Sequence, residues 1–279
     1  MKMKRVLVMG ATGRIGRALR TFWPVHARQI APLWQSRAAT AEQGWVSLNP
    51  LAEPDRLARL SEGCDAILCL SGVTPVRGGD FATNVTLAEA AIHAGAAAGA
   101  PVLLASSAAV YGNQPGALTE QTRPKPVADY GRSKAEMEAR GAELAAELNV
   151  PVCSLRLGNL AGVDAILGGW KPGFQLDLFD DGRTPCRSYI GLETLARVLA
   201  DLVTTTGLPP LLNVAAPGVI EMGALLDAAG LDWTPRAAPP DAIPEVHLST
   251  DALGGFTRFD ATDSLPETMV RQWRRLTPQ

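Results

Sequence analysis

The chain has 279 residues, with 26 Lys and Arg against 28 Asp and Glu for a net charge of −2. Hydrophobic residues at 47% and charged residues at 19% exclude a disordered chain, and the near-zero charge removes any global attraction to nucleic acid or an anionic membrane. No apolar stretch reaches the roughly 18 residues of a spanning helix, and the basic start Met1–Arg5 leads only into the short run Val6–Met9, so a soluble, cytoplasmic protein is expected.

Val6–Met9 reads as a buried strand, followed by a helix whose apolar positions Ile15, Leu19 and Phe22 share one face and which Pro24 is expected to close. Further strands are expected at Ile30–Trp34, Trp45–Leu48, Ala66–Leu70, Val102–Ala105 and Val152–Leu157, with helices at Asn84–Ala98 and Ser133–Leu148. Strands alternating with helices call for a parallel sheet covered on both faces, an α/β architecture. From Gly158 to Thr184 the rhythm is lost. A helix returns at Glu193–Val203, with Leu195, Val198, Leu199 and Leu202 on one stripe, then a strand at Leu211–Ala215 and a last helix at Glu267–Leu276 beyond two proline clusters. The expected division is a dinucleotide-binding domain over 1–160 with a returning segment 187–215, and a small substrate cap from 161–186 and 216–279. Cys64, Cys69, Cys153 and Cys186 form no CxxC pair and read as fillers of a reduced interior; His26, His93 and His247 make no ligand pattern, so no metal is expected.

The first motif is Gly10-Ala11-Thr12-Gly13-Arg14-Ile15-Gly16, directly after a strand and opening a helix. Gly10 suits a tight turn, Gly13 lets backbone approach a pyrophosphate, and Gly16 permits helix–strand contact, while the helix N-terminus offers unpaired N–H groups to phosphate. The spacing is GxxGxxG, one residue longer at the front than the common dinucleotide fingerprint, and its strand–turn–helix context points to cofactor binding on a Rossmann-type doubly wound sheet. In such sheets an acid after the second strand holds the adenosine ribose of NAD. Here the segment runs Leu33-Trp34-Gln35-Ser36-Arg37, with no carboxylate. Arg37 and Ser36, assisted by Arg14, suit a 2′-phosphate, and the expected cofactor is NADP, with NAD as the alternative. The second motif is Tyr130-Gly131-Arg132-Ser133-Lys134, preceded by Ser106-Ser107 at a strand end. Tyr130 and Lys134 share a helix face at four-residue spacing. An ammonium nearby is expected to lower the phenol's pKa, and Ser107 to hold the reacting oxygen.

With these residues the sequence resembles the extended short-chain dehydrogenase/reductases, also called NAD-dependent epimerase/dehydratases. The likeness is carried by residues 10–16, 106–112 and 130–134, and continues at Leu155-Arg156-Leu157-Gly158-Asn159, Arg187-Ser188-Tyr189-Ile190 and Asn213-Val214-Ala215. The resemblance implies that Ser107 binds the carbonyl, Tyr130 is the acid–base and Lys134 holds a cofactor ribose. It implies that Asn84 lies beside the cofactor, that Leu70-Ser71-Gly72 and Ser106 run along it, and that Asn49 meets adenine in place of the usual aspartate. Asn159 and Arg187 then match substrate contacts, Arg187 with a nucleotide diphosphate, and a homodimer is implied.

Departures from the family pattern narrow the chemistry. Ala108 and Ala109 stand where dehydratases carry Asp-Glu, which argues against sugar 4,6-dehydration. Nucleotide-sugar members tend to be longer, which favours a smaller substrate. The leading expectation is an NADP-dependent oxidoreductase acting on a small molecule with a carbonyl or hydroxyl; the alternatives are a nucleotide-sugar epimerase and a non-catalytic NADP(H) sensor.

Overall fold

A computed structural model describes residues 3–40, 42–75 and 78–276. The apolar runs form β1 (Lys4–Met9), β2 (Ile30–Ser36), β3 (Trp45–Ser47), β4 (Ala66–Cys69), β5 (Val102–Ser107), β6 (Val152–Leu157) and β7 (Leu211–Val214). They pair in parallel in one seven-stranded sheet of order β7-β6-β5-β4-β1-β2-β3. The helices are α1 (Arg14–His26), α2 (Pro54–Ser61), α3 (Thr83–Ala98), α4 (Asp129–Leu148), α5 (Leu192–Thr204), α6 (Met222–Ala228) and α7 (Pro266–Leu276). The order is that of a Rossmann-like doubly wound fold.

Alternation along the strands divides the core into two layers. Val6, Val8, Leu68 and Leu155 pack with α1 and α5. Leu7, Met9, Ile67 and Leu104 pack with α2, α3 and α4, where Ala88 and Ala91 let α3 lie close to the sheet. The chain leaves β3 at one edge and re-enters beside β1 as β4, so the direction of winding reverses between β1 and β4. A crevice at the strands' C-terminal ends follows from that reversal.

Smaller units are built mostly from the chain after β6. Residues 186–187, 220–221, 245–248 and 117–118 form a four-stranded sheet, and Gln175–Leu178 pairs with Thr234–Ala237. Ile166, Leu176, Leu225, Leu226, Met269 and Val270 make a third core, against which Trp170, Phe174 and Trp233 pack.

The structure departs from the sequence expectation at several boundaries. Helix α1 continues through Pro24 to His26, because a proline in the last turn removes only one intrahelical bond, and the Ala27 N–H still reaches Trp23 O at 2.8 Å. Helix α4 begins at Asp129, a turn before Ser133, so Tyr130 and Lys134 both stand on it. Helices α2 and α6 were not expected; α2 starts with Pro54 at its first position.

Candidate active site

The crevice at the strand ends is a cleft of about 630 Å³. One wall is the glycine loop. Gly10 has φ +79°, a left-handed conformation, and a Cβ there would stand 2.7 Å from Ser71 N, so the loop and the β4 end touch only because Gly10 has no side chain. Gly13 caps α1 without a side-chain hydrogen bond, and no acid occupies the first turn. The free N–H groups at that helix start, beside Gly10, Thr12, Gly13, Ile15 and Gly16 of the cleft wall, fit a dinucleotide pyrophosphate.

Gln35 closes the base of this loop. Its Oε1 accepts from Gly10 N at 2.9 Å and its Nε2 donates to Leu48 O at 2.6 Å. Ser36, Arg37 and Asn49 line the same end. The Ser36 hydroxyl accepts from Ala38 N, and Arg37 is exposed. Arg14, expected to assist Arg37, is directed elsewhere: its guanidinium donates to Val163 O across the cleft.

At the other end Ser106 and Ser107 finish β5, and Tyr130 starts α4. Gly131 explains their proximity: a Cβ there would overlap Ala109 O and crowd Pro126, so glycine alone lets α4 seat on the turn that follows Ser107. Tyr130 and Ser107 line the same cleft, and the Tyr130 ring lies 5.9 Å from that of Phe81. Burial raises the Tyr130 phenol above its ordinary value, while the Ser107 hydroxyl and the Arg14 charge pull it down. The expected net lowering by Lys134 is thus not what this arrangement produces. Lys134 is buried behind the wall and its Nζ donates to Ala105 O at 2.7 Å. Burial lowers its ammonium to about 8, with the neighbouring Cys69 and the Glu138 carboxylate acting in the opposite direction.

The remaining expected residues divide into two groups. Leu70, Ser71, Gly72 and Asn159 line the cleft. Asn84 does not: its Oδ1 accepts from Val73 N at 2.9 Å and its Nδ2 donates to Ser133 Oγ at 3.1 Å, so it fastens the loop after β4 to α4. Arg187 is likewise outside the wall, its guanidinium donating to the carbonyls of Cys186 and Ile243. Asp164, which no sequence pattern flagged, is the only carboxylate among the described wall residues. Its Oδ2 accepts from the Tyr189 hydroxyl at 2.9 Å and its Oδ1 from Leu167 N at 3.1 Å; burial raises its pKa.

A glycine-loop cradle facing a serine–tyrosine pair with a buried lysine behind it defines a nicotinamide-dinucleotide enzyme of the short-chain dehydrogenase/reductase class. The NAD dependent epimerase/dehydratase family matches residues 6–167, more than half of the chain, and the chain belongs to that family. No curated protein sequence matches it. Its fold is similar to that of a UDP-glucose-4-epimerase from Stenotrophomonas maltophila with bound NAD and formylated UDP-arabinopyranose, at 19% identity, TM-score 0.78 and 98% coverage of each chain. A UDP-N-acetylglucosamine 4-epimerase from Methanobrevibacter ruminantium M1 is similar at 17% identity, TM-score 0.75 and 99% coverage of each chain. DesIV, a dTDP-glucose 4,6-dehydratase from Streptomyces venezuelae with NAD and TYD bound, is similar at 21% identity, TM-score 0.71, with 98% of this chain and 97% of that one covered. Among the described residues no helix is long and apolar enough to cross a membrane.

Proposed function

We propose that the chain is a nucleotide-sugar epimerase that inverts a carbinol carbon by oxidising it and returning hydride to the opposite face. The observation that carries this reading is the convergence of Ser107 and Tyr130 on one cleft with the glycine loop. It is supported by end-to-end similarity to UDP-sugar 4-epimerases, which removes the length argument for a smaller substrate. A nicotinamide dinucleotide held by the glycine loop would supply the hydride acceptor and donor. Tyr130 Oη takes the hydroxyl proton as the carbon is oxidised and returns it as the carbon is reduced, and the Ser107 hydroxyl holds the same oxygen. Lys134, fixed by Ala105 O, presents a buried positive charge behind Gly72, where it would hold a cofactor ribose. Ala108 and Ala109 supply no second acid–base pair, which favours epimerisation over dehydration.

A second reading, a reductase that consumes NADPH, is favoured by the end of β2. Gln35 offers a neutral amide there and Arg37 an exposed cation, which suits a 2′-phosphate. Incubation with NAD or NADP, their reduced forms and a panel of UDP- and dTDP-sugars separates the two. Sugar inversion without net change in reduced-nicotinamide absorbance supports the epimerase; stoichiometric loss of that absorbance establishes the reductase in its place.

A further inference from the structure

We propose that Thr74, in the loop after β4, is a specificity-determining contact for a ring hydroxyl of the sugar, an inference that rests on reading the substrate as a nucleotide sugar. Among the described residues two buried side-chain polar atoms have no hydrogen-bond partner, Arg20 Nε and Thr74 Oγ1. Arg20 stands outside the cleft, its guanidinium covering the Trp45 ring at 5.1 Å. Thr74 lines the cleft. A buried hydroxyl left unpaired costs stability, and valine has nearly the same shape without that cost. A partner that arrives with the ligand accounts for the hydroxyl, and one turn about χ1 between staggered wells carries it to the cleft.

The loop is held where a sugar would meet Tyr130. The Asn84 side chain accepts from Val73 N at 2.9 Å and donates to Val73 O at 3.3 Å and to Ser133 Oγ at 3.1 Å. Ser133 Oγ in turn donates to Tyr130 O at 2.9 Å. These bonds tie the residue before Thr74 to the first turn of α4, the turn that carries Tyr130. Gly72 seats the same loop against Lys134: a Cβ there would stand 2.7 Å from Asn84 Oδ1 and 3.5 Å from Lys134 Nζ. Ser71 is the residue that meets Gly10, so the loop runs from the glycine loop toward the Tyr130 end. A threonine hydroxyl both donates and accepts, and so matches a sugar hydroxyl in either sense. Pro75 follows with no N–H, so the loop does not offer at this point the successive backbone donors that hold a phosphate. Asn84 and Lys134 already have partners, Lys134 in Ala105 O, and neither competes for the same hydroxyl.

Titration calorimetry of the NAD-loaded protein with UDP-glucose, dTDP-glucose, UDP and the monodeoxy forms of UDP-glucose tests this. Thr74→Val should weaken binding of the sugar nucleotides by roughly fivefold, the scale of one hydrogen bond, and leave UDP and NAD within about twofold. Thr74→Ser should restore most of the loss. One monodeoxy analogue, the one lacking the contacted hydroxyl, should bind the wild type and Thr74→Val alike. The Tm of Thr74→Val should not fall, because the hydroxyl has no partner inside the protein. Unaltered sugar-nucleotide affinity in Thr74→Val overturns the proposal. So does an equal loss for UDP, which would make Thr74 a nucleotide contact, a loss for NAD, which would make it a cofactor contact, or a lowered Tm, which would give it a structural role. Sugar nucleotides that bind but are never inverted overturn the epimerase reading alone, and the Thr74 comparison stands; if neither sugar nucleotide binds the wild type, both fall.

Discussion

The Gln35 side chain joins the glycine loop to the end of β3, accepting from Gly10 N at 2.9 Å and donating to Leu48 O at 2.6 Å. An amide satisfies both neighbours because it carries a donor and an acceptor; a carboxylate could accept from Gly10 but would face the Leu48 carbonyl unpaired. The neutral residue is therefore built into the turn, and it leaves Arg37 as the charged group at that end of the cleft. Arg37→Ala is expected to weaken NADP binding by about tenfold and leave NAD binding within about twofold, on the scale of one exposed charge-assisted hydrogen bond. Dissociation constants for both dinucleotides check this, and tighter NAD binding that ignores the substitution would remove the case for NADP.

Tyr130→Phe keeps the ring against Phe81 and deletes only the hydroxyl. Turnover should fall by roughly 10²–10⁴-fold, the usual contribution of a positioned acid–base group. Dinucleotide affinity and thermal stability should change little, since the glycine loop and the buried layers are untouched. A variant that loses cofactor binding in step with turnover would assign the phenol a binding role.

The legible parts of the molecule are those written in local pattern. β6 is the apolar run Val152–Leu157 with both ends as expected, and the glycine loop and the Tyr130–Lys134 spacing are each written in a few adjacent letters. Contacts made by residues far apart in sequence leave no such trace. Arg14 meets Val163, and Asp164 meets Tyr189, only through tertiary packing. Arg187 shows the reverse: its motif suggested a substrate contact, yet neighbouring carbonyls take up its guanidinium. Thr234–Ala237 escaped notice because Pro235 argues against a strand; it is tolerated in a small two-stranded pair that is exposed along its length.

Lys134 gives the apo protein a pH signature. Burial holds its ammonium at about 8 against 10.5 for an ordinary lysine. Between those values the unfolded chain binds more protons than the folded one, so stability rises with pH through that window; below it both states are protonated and the full cost of burying the charge is present. Burial raises the thiols of Cys64, Cys69, Cys153 and Cys186 above 9.0, so from about pH 8 upward the unfolded thiols ionise first and oppose that slope. The lysine contribution is therefore read as a difference in urea unfolding: between pH 8 and pH 9 the wild type should gain about 1 kcal/mol relative to Lys134→Met, which keeps all four thiols. Lys134→Met should also be the more stable of the two at neutral pH. Parallel profiles for the two proteins across the window would contradict the depressed lysine.

Arg156 and Glu138 supply the sharpest stability test. Arg156 is 2% exposed and Glu138 8%, and the guanidinium makes three hydrogen bonds to the carboxylate, the shortest 2.7 Å. Ser106 Oγ donates to the same carboxylate at 2.5 Å, and Arg156 also donates to Tyr111 Oη at 2.9 Å while covering the Tyr111 ring. The pair thus ties β5, α4 and β6 together behind the end of the cleft lined by Ser107 and Tyr130. Removing one partner strands a charge away from water, so Arg156→Met should destabilise by about 3–5 kcal/mol. Glu138→Leu should cost a similar amount, because it leaves the arginine unpaired and Ser106 without its acceptor. Combining the two removes both charges, and the double variant should be at least about 1 kcal/mol more stable than the sum of the single losses predicts. Urea unfolding of the four proteins measures the coupling; strictly additive losses would show that the two side chains stabilise the fold through separate contacts.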